Sequence, residues 1–214
     1  MTNICLLAAT LMVAAQAGQT DVKKDQAAAA PAAATGGAQP ASPPRAALAA
    51  AFEVPKPPPE LEQLRPLEGS WNCDVSLPAG AMGPGSAAQS FKAKMSTKKG
   101  LDGFWYVMDY AERKTKAHPI AIKAHGTMGY DTLNKKFIMI GADNLGGWMT
   151  ETGAGWDGDQ IVFSGEGVMM GQKAASRDTI VNTGPGELTW TTEMKTGGAP
   201  DFQPGGVSTC KRAK

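Results

Sequence analysis

The chain has 214 residues, in which 21 Lys and Arg balance 20 Asp and Glu, so its formal net charge at pH 7 is +1. This balance excludes the strongly basic surface with which proteins attract nucleic acids or anionic membranes. From Glu60 to Lys214 the chain is long enough for one compact domain with a single core, and its composition does not indicate a second domain.

The first 17 residues are typical of a secretory signal peptide. They carry no charge, and the apolar stretch from Ile4 to Ala15 is too short to span a bilayer. Ala15 and Ala17 flank Gln16 in the small-x-small pattern of a cleavage site. We therefore predict a signal peptide over residues 1–17 and no membrane span after its cleavage. The alternative is an uncleaved membrane anchor, because no Lys or Arg precedes the apolar stretch.

Residues 18–59 are rich in Ala, Pro, Gly, Gln and Ser and contain few aromatic or β-branched side chains. Such a segment cannot bury enough apolar surface to offset the entropy that it would lose on ordering. We predict a disordered linker over this range. Within it, Pro55 to Pro59 is interpreted as a semi-rigid spacer, and a recognition segment in polyproline conformation is the alternative.

A barrel domain is predicted over residues 60–214, and the most informative stretch of the chain lies at its start. A short helix is predicted over Glu60 to Arg65, and Gly69 then turns the chain into the first strand. From Trp71 to Val75 apolar residues alternate with polar ones, which is the pattern of a half-buried strand. This arrangement resembles the start of a lipocalin-like barrel.

Alternating apolar and polar residues, bounded by turn residues, predict further strands. They cover Gln89 to Ser96, Phe104 to Tyr110, Ile120 to Tyr130, Lys136 to Asp143, Trp148 toward Trp156, Gln160 to Val168, Ser176 to Asn182, Glu187 to Met194 and Val207 to Cys210. Asp157 and Gly158 form the clearest hairpin signal, because both tolerate the positive φ of tight turns. Short loops favour antiparallel pairing in sequence order, so an all-β, up-and-down barrel of about ten strands is expected, with a β-sandwich as the alternative.

Loss of the signal peptide leaves Cys73 and Cys210 as the remaining cysteines. They lie in the first and last predicted strands, which become neighbours when an up-and-down sheet closes into a barrel. An even number of cysteines in an exported chain favours a disulfide between them. Two buried free thiols are the alternative, because neighbouring strands do not guarantee bridging geometry.

Several segments together resemble a known family. They are Pro59 to Leu64, Leu67 to Trp71, Gly129 to Phe137 and Gly155 to Ile161. These segments resemble exported bacterial proteins that carry a single domain of unknown function, numbered 1579, with a calycin-like barrel. The resemblance covers most of Glu60 to Met194 and implies a bacterial periplasmic or secreted barrel. It brings no established activity, catalytic residue or cofactor.

The inward positions of the predicted barrel carry many aromatic and methionine side chains. They are Trp71, Phe91, Phe104, Tyr106, Met108, Tyr110, Met128, Met139, Trp148, Trp190 and Met194. Methionine adapts its shape and aromatic rings provide flat apolar walls, so this lining suits a pocket for a small hydrophobic ligand. The same residues equally suit the packed core of a filled barrel.

No cofactor, metal site or catalytic residue is predicted. Nitrobindin-like barrels bind haem through a histidine, but His125 is expected on the outer face of its strand and His118 in a loop before Pro119. The sequence has no Cys-x-x-Cys, His-x-x-x-His or His-Glu-x-x-His spacing for a metal and no Gly-x-Ser-x-Gly elbow of a hydrolase.

The acids Asp109, Glu151 and Glu166 would suit acid–base chemistry if they faced a cavity, but exposed strand carboxylates are commoner, so an outward orientation is predicted. An enzyme for a lipid-like substrate would need buried polar groups that converge on the cavity, which the sequence does not indicate. The predicted function is therefore binding of a small hydrophobic molecule by an exported barrel. The alternative is a filled barrel that serves the cell envelope as a structural or protein-interaction module, with an unknown partner.

Overall fold

The computed structural model describes residues 55–83 and 85–214. The predicted signal peptide and nearly all of the predicted linker lie outside these residues. The described chain begins with a 3-10 helix over Pro59–Leu67 and continues with antiparallel strands. The strands are β1 (Gly69–Leu77), β2 (Gln89–Gly100), β3 (Trp105–Glu112), β4 (Lys123–Asp131), β5 (Lys136–Asp143), β6 (Trp148–Gly153), β7 (Trp156–Asp157), β8 (Gln160–Met169), β9 (Gln172–Gly184), β10 (Glu187–Thr196) and β11 (Gln203–Arg212).

The strands form one closed sheet. Neighbours in sequence pair antiparallel from β1 to β6 and from β8 to β11, β11 pairs with β1, and β6 pairs with β8. The two-residue β7 pairs only with the start of β8, so ten strands close the barrel. The prediction of an all-β, antiparallel up-and-down barrel is confirmed. Among the described residues, no helix is both long and apolar enough to cross a membrane.

Local chemistry explains where the strands begin and end. Gly158 has a φ of +59° in the tight turn between β7 and β8, as the hairpin signal predicts. Phe104 lies outside β3, because its backbone is helical after the 3-10 turn at Leu101–Gly103. The strand predicted from Ile120 begins only at Lys123, so the exposed Ile120 belongs to a loop.

The helix closes one end of the barrel. Its leucines Leu61, Leu64 and Leu67 are buried with the aromatic residues at that end. The indole Nε1 of Trp71 donates to the carbonyl oxygen of Leu67 at 3.0 Å, and the indole Nε1 of Trp156 donates to that of Gln63 at 2.7 Å. These hydrogen bonds fix the helix against β1 and β7, because each satisfies a carbonyl that the short helix leaves unpaired.

The first and last strands are joined covalently. Cys73 on β1 faces Cys210 on β11 in the strand register, and their sulfurs form a disulfide across a sequence separation of 137 residues. The structure thus contains the predicted disulfide and not the alternative of two free thiols. Both cysteines are buried and face the interior.

Candidate functional site

The end of the barrel opposite the helix holds a cavity of about 350 Å³. Its walls are the inward-facing side chains of the strands together with Met82 from the loop after β1. Most of the lining is apolar, and methionine is its most frequent large side chain; it includes Leu77, Met95, Met108, Met169, Trp190 and Met194. The volume lies at the lower end of the range of ligand pockets, about 300–1,000 Å³.

Polar groups interrupt the apolar lining on opposite sides of the ring of strands. Tyr110 and Glu112 line the cavity from β3, and Asp178 and Thr192 line it from β9 and β10. Asp143 lies at the end of β5. Among the described residues that line the cavity, none is Lys, Arg or His. The cavity therefore holds carboxyl groups without a basic side chain.

A second buried acid lies behind the cavity wall. Glu151 on β6 is 2% exposed and accepts a hydrogen bond from the hydroxyl of Ser176 on β9. The strand between them, β8, carries Gly165 at the position paired with both residues. Because Gly165 has no side chain, the side chains of Ser176 and Glu151 can meet across it.

Glu151 and Asp178 are both buried, and their carboxyl groups lie within hydrogen-bond reach of each other. Oδ1 of Asp178 accepts hydrogen bonds from Nε1 of Trp190, at 2.8 Å, and from the hydroxyl of Thr192. Burial, together with the charge of the neighbouring Asp178, raises the pKa of Glu151 to about 8. Burial also raises the pKa of Asp178, against the effect of its hydrogen bonds. Two carboxyl groups in contact resist double ionisation, so a single proton shared between them stabilises the pair.

The acids on the other side of the cavity have protein partners. Oε2 of Glu112 accepts hydrogen bonds from Nε2 of His118, at 2.8 Å, and from the backbone N–H of Ile122, at 2.7 Å. The hydroxyl of Tyr110 donates to Oε1 of Glu112 at 3.3 Å, and burial raises the pKa of Tyr110. The ring of His118 also stacks on Phe91, with 3.9 Å between the centroids. This network stabilises the loop between β3 and β4 against the barrel.

A family model described as a protein of unknown function (DUF1579) matches residues 56–204. The chain belongs to this family. The match contains the 3-10 helix, the strands β1 to β10 and the first two residues of β11. It therefore covers the carboxyl pair and the cavity lining except for the lining residues on β11. A search of the curated proteins found no match.

The structure divides the predicted lining of this DUF1579 barrel into groups. Four of the residues line the cavity: Met108, Tyr110, Trp190 and Met194. Five lie in the packed core: Trp71, Phe91, Tyr106, Met128 and Met139. Phe104 is half-buried beside the turn before β3. Trp148 does not belong to the lining: it is 51% exposed, because the inward positions of β6 are those of Met149, Glu151 and Gly153.

The expected outward orientation of the acids is wrong for Glu151 and agrees with the positions of Asp109 and Glu166, which are exposed. Asp109 accepts a hydrogen bond from Nδ1 of the exposed His125 at 2.8 Å. Asp178 is not among the acids that were predicted from the sequence. The signal that marks it is its position two residues before Ile180 on an alternating strand, which places both side chains on the inner face.

Neither histidine is itself part of the cavity lining. His118 is buried, but its ring nitrogens face Oε1 of Gln89, at 3.1 Å, and Oε2 of Glu112. His125 lies on the outer face of β4. In the part of the chain that the structure describes, no group of three or more His, Cys, Asp or Glu residues is arranged to hold a metal ion.

Proposed function

We propose that this barrel binds a small, mainly hydrophobic molecule in the cavity at its open end. The observation that carries the proposal is the cavity itself, about 350 Å³ of space inside a barrel whose other end is filled by buried leucine and aromatic side chains. Its methionine side chains can adapt to a guest at little energetic cost, while a few fixed polar groups can orient it. A barrel filled by its own side chains would not contain such a space.

We also propose that the protein is exported, as a bacterial periplasmic or secreted barrel related to the calycins. The disulfide between Cys73 and Cys210 supports export, because structural disulfides persist mainly in oxidising compartments. The barrel of sequential antiparallel strands, closed at one end by the helix Pro59–Leu67, supports the calycin relationship.

A fluorescent apolar probe tests the binding proposal. N-phenyl-1-naphthylamine is uncharged at neutral pH and becomes fluorescent when it leaves water for an apolar site. Ala124 lines the cavity, so Ala124→Phe fills part of it, and we expect at least a tenfold loss of probe affinity. Ala142→Phe places the same ring on the outer face of β5 and is expected to stay within twofold of the wild type.

Equal probe affinities of the two variants would place the probe on the surface and favour the filled-barrel alternative. Native mass spectrometry of protein purified without detergent adds an independent readout. A mass adduct that disappears on denaturation would identify the class of the natural ligand. A bare mass, together with equal probe affinities, would direct the search to protein partners.

A further inference from the structure

Asp178 lines the cavity and Glu151 lies behind it, and neither carboxyl group has a cationic partner among the described residues. We propose that the cavity selects an amphipathic cation, an amine with an apolar chain, and binds its ammonium group at Asp178. The inference rests on the proposed function, since it names the ligand class of the same cavity. It adds selection of the ligand by its charge to the proposed binding of an apolar molecule.

Asp178 is the buried cavity acid that the protein leaves without a full set of donors. Glu112 is held by His118 and by a backbone N–H group. Asp143 accepts hydrogen bonds from the backbone N–H groups of Leu145, at 2.7 Å, and Gly147, at 3.0 Å. Both donors to Asp178 bond to Oδ1, as both donors to Asp143 do. Asp143 is only half-buried, so water reaches it, whereas Asp178 is buried and its other neighbour is a second acid. A hydrogen-bond donor of a ligand would therefore bond to the carboxylate of Asp178.

Electrostatics favours a cation over an anion or a neutral head group. Burying an ionised carboxylate without a counter-charge is unfavourable, and an ammonium group at Asp178 would supply that counter-charge. A ligand carboxylate would instead add negative charge to a cavity that already contains Glu112, Asp143 and Asp178. A neutral alcohol would gain a hydrogen bond without neutralising the buried charge.

The apolar lining of the cavity favours an alkyl chain as the remaining part of the ligand. Met82, Met108 and Met194 line the same cavity as Asp178, so an alkyl chain attached to the ammonium group would lie against flexible thioether side chains. The indole nitrogen of Trp190 points at Asp178 and keeps its carboxylate in place. The cavity thus combines one anionic position with an apolar wall, which matches the two ends of an amphipathic amine.

The shared proton makes the proposed binding dependent on pH. The groups around the pair are the neutral donors Ser176, Trp190 and Thr192 and, on the facing strands, the cavity groups Tyr110, Glu112 and Asp143. An ammonium group competes with the proton that Glu151 and Asp178 share. Since the pKa of Glu151 is raised to about 8, affinity should increase from about pH 6 to about pH 8 and level off above it. An alkyl ammonium group, like that of lysine, titrates only near about pH 10.4 and stays charged throughout.

Isothermal titration calorimetry with three octyl compounds tests the inference. Octylamine, 1-octanol and octanoate have the same chain and differ in the head group. At pH 8 we expect octylamine to bind at least tenfold more tightly than octanol, and octanoate more weakly than either. We also expect proton release on octylamine binding at pH 7, measured in buffers of different ionisation enthalpy.

Three substitutions separate recognition of the cation from a purely structural role of the acids. Asp178→Asn keeps an oxygen for Trp190 and Thr192 but removes the charge, and should reduce the preference for octylamine over octanol to less than threefold. Glu151→Gln removes the partner that holds the proton, and should keep the preference while abolishing its pH dependence. Asp109→Asn removes an exposed carboxylate of the outer face and should change neither.

The outcomes distinguish the two proposals. If octanol binds as tightly as octylamine and Ala124→Phe blocks both, the cavity binds apolar ligands and the preference for amines is overturned. If Asp109→Asn reduces octylamine binding as much as Asp178→Asn, the amine binds on the surface and the inference fails. If none of the octyl compounds and no apolar probe binds, the binding function is overturned and the amine preference with it.

Discussion

At the scale of single residues, a glycine decides whether the barrel can close. At Gly165, where β8 pairs with β6, a Cβ atom would lie 2.6 Å from the Cα of Glu151 and would also collide with the backbone of Thr150. Backbone atoms cannot move aside as the end of a flexible side chain can. The missing side chain therefore allows the closing strand pair to form and lets Ser176 reach Glu151.

Substitution of this glycine should be costly. We expect Gly165→Ala to lower the free energy of unfolding by about 1–3 kcal/mol, as overpacking does in other cores. Gly141→Ala is the matched control, because a Cβ atom at that strand position meets only the carbonyl oxygen of His125, at 3.9 Å. The control should be neutral or slightly stabilising, since alanine restricts the unfolded chain. Urea denaturation of both variants measures the difference, and equal stabilities would contradict the explanation.

The buried carboxyl pair shows at the same scale why residue type alone misleads. Glu151 and Glu166 are both acids in strands, yet Glu166 is exposed and Glu151 is 2% exposed. Strand register makes this difference, since successive side chains point to opposite faces of the sheet. Alternation within β9 already places Asp178 on the inner face with Ile180, so this half of the pair was within reach of the sequence. The contact between Asp178 and Glu151 could not be predicted from the sequence.

At the scale of elements, the helix Pro59–Leu67 covers the end of the barrel opposite the methionine-lined cavity. Leu61, Leu64 and Leu67 are all at most 2% exposed, although the helix is short and contains prolines. A helix this short is not stable by itself, so its order depends on this packing and on the hydrogen bonds to the indole groups. The helix thus leaves the opposite end as the way into the interior.

Truncation of a leucine in this helix should destabilise the whole barrel. Leu64 is fully buried, so Leu64→Ala should lower the free energy of unfolding by about 2–4 kcal/mol through lost burial and the resulting cavity. Leu133→Ala removes the same atoms from a side chain that is 87% exposed, and should stay within about 0.5 kcal/mol of the wild type. Thermal and urea unfolding measure both variants. A small loss for Leu64→Ala would show that the helix is not part of the cooperative fold.

At the scale of the whole molecule, closure depends on contacts between residues far apart in the sequence. The first strand, β1, pairs with the last strand, β11, and this pair closes the ring of strands. The disulfide strengthens the pair, because it links strands whose cysteines are 137 residues apart. A long closed loop restricts the unfolded chain strongly, which in the chain-entropy description stabilises the folded state.

Reduction of this disulfide should be measurable in the stability of the barrel. We expect a reductant to lower the free energy of unfolding by about 2–4 kcal/mol while the fold persists, because the backbone hydrogen bonds between β1 and β11 remain. A variant with both Cys73→Ala and Cys210→Ala should not respond to the reductant. Free sulfhydryls in denatured, unreduced protein would show that the bridge does not form.

The sequence by itself determined the all-β class, the antiparallel order of the strands, the helix before β1 and the pairing of Cys73 with Cys210 as one of two alternatives. These features follow from period-two alternation, turn residues and short connections, all of which act over a few neighbouring residues. Only the tertiary structure decided which inward side chains pack solidly and which border an open space. It also brought Glu151 and Asp178 together from β6 and β9, across a strand that carries glycine. Such features depend on register and volume across the barrel, and local sequence patterns do not encode them.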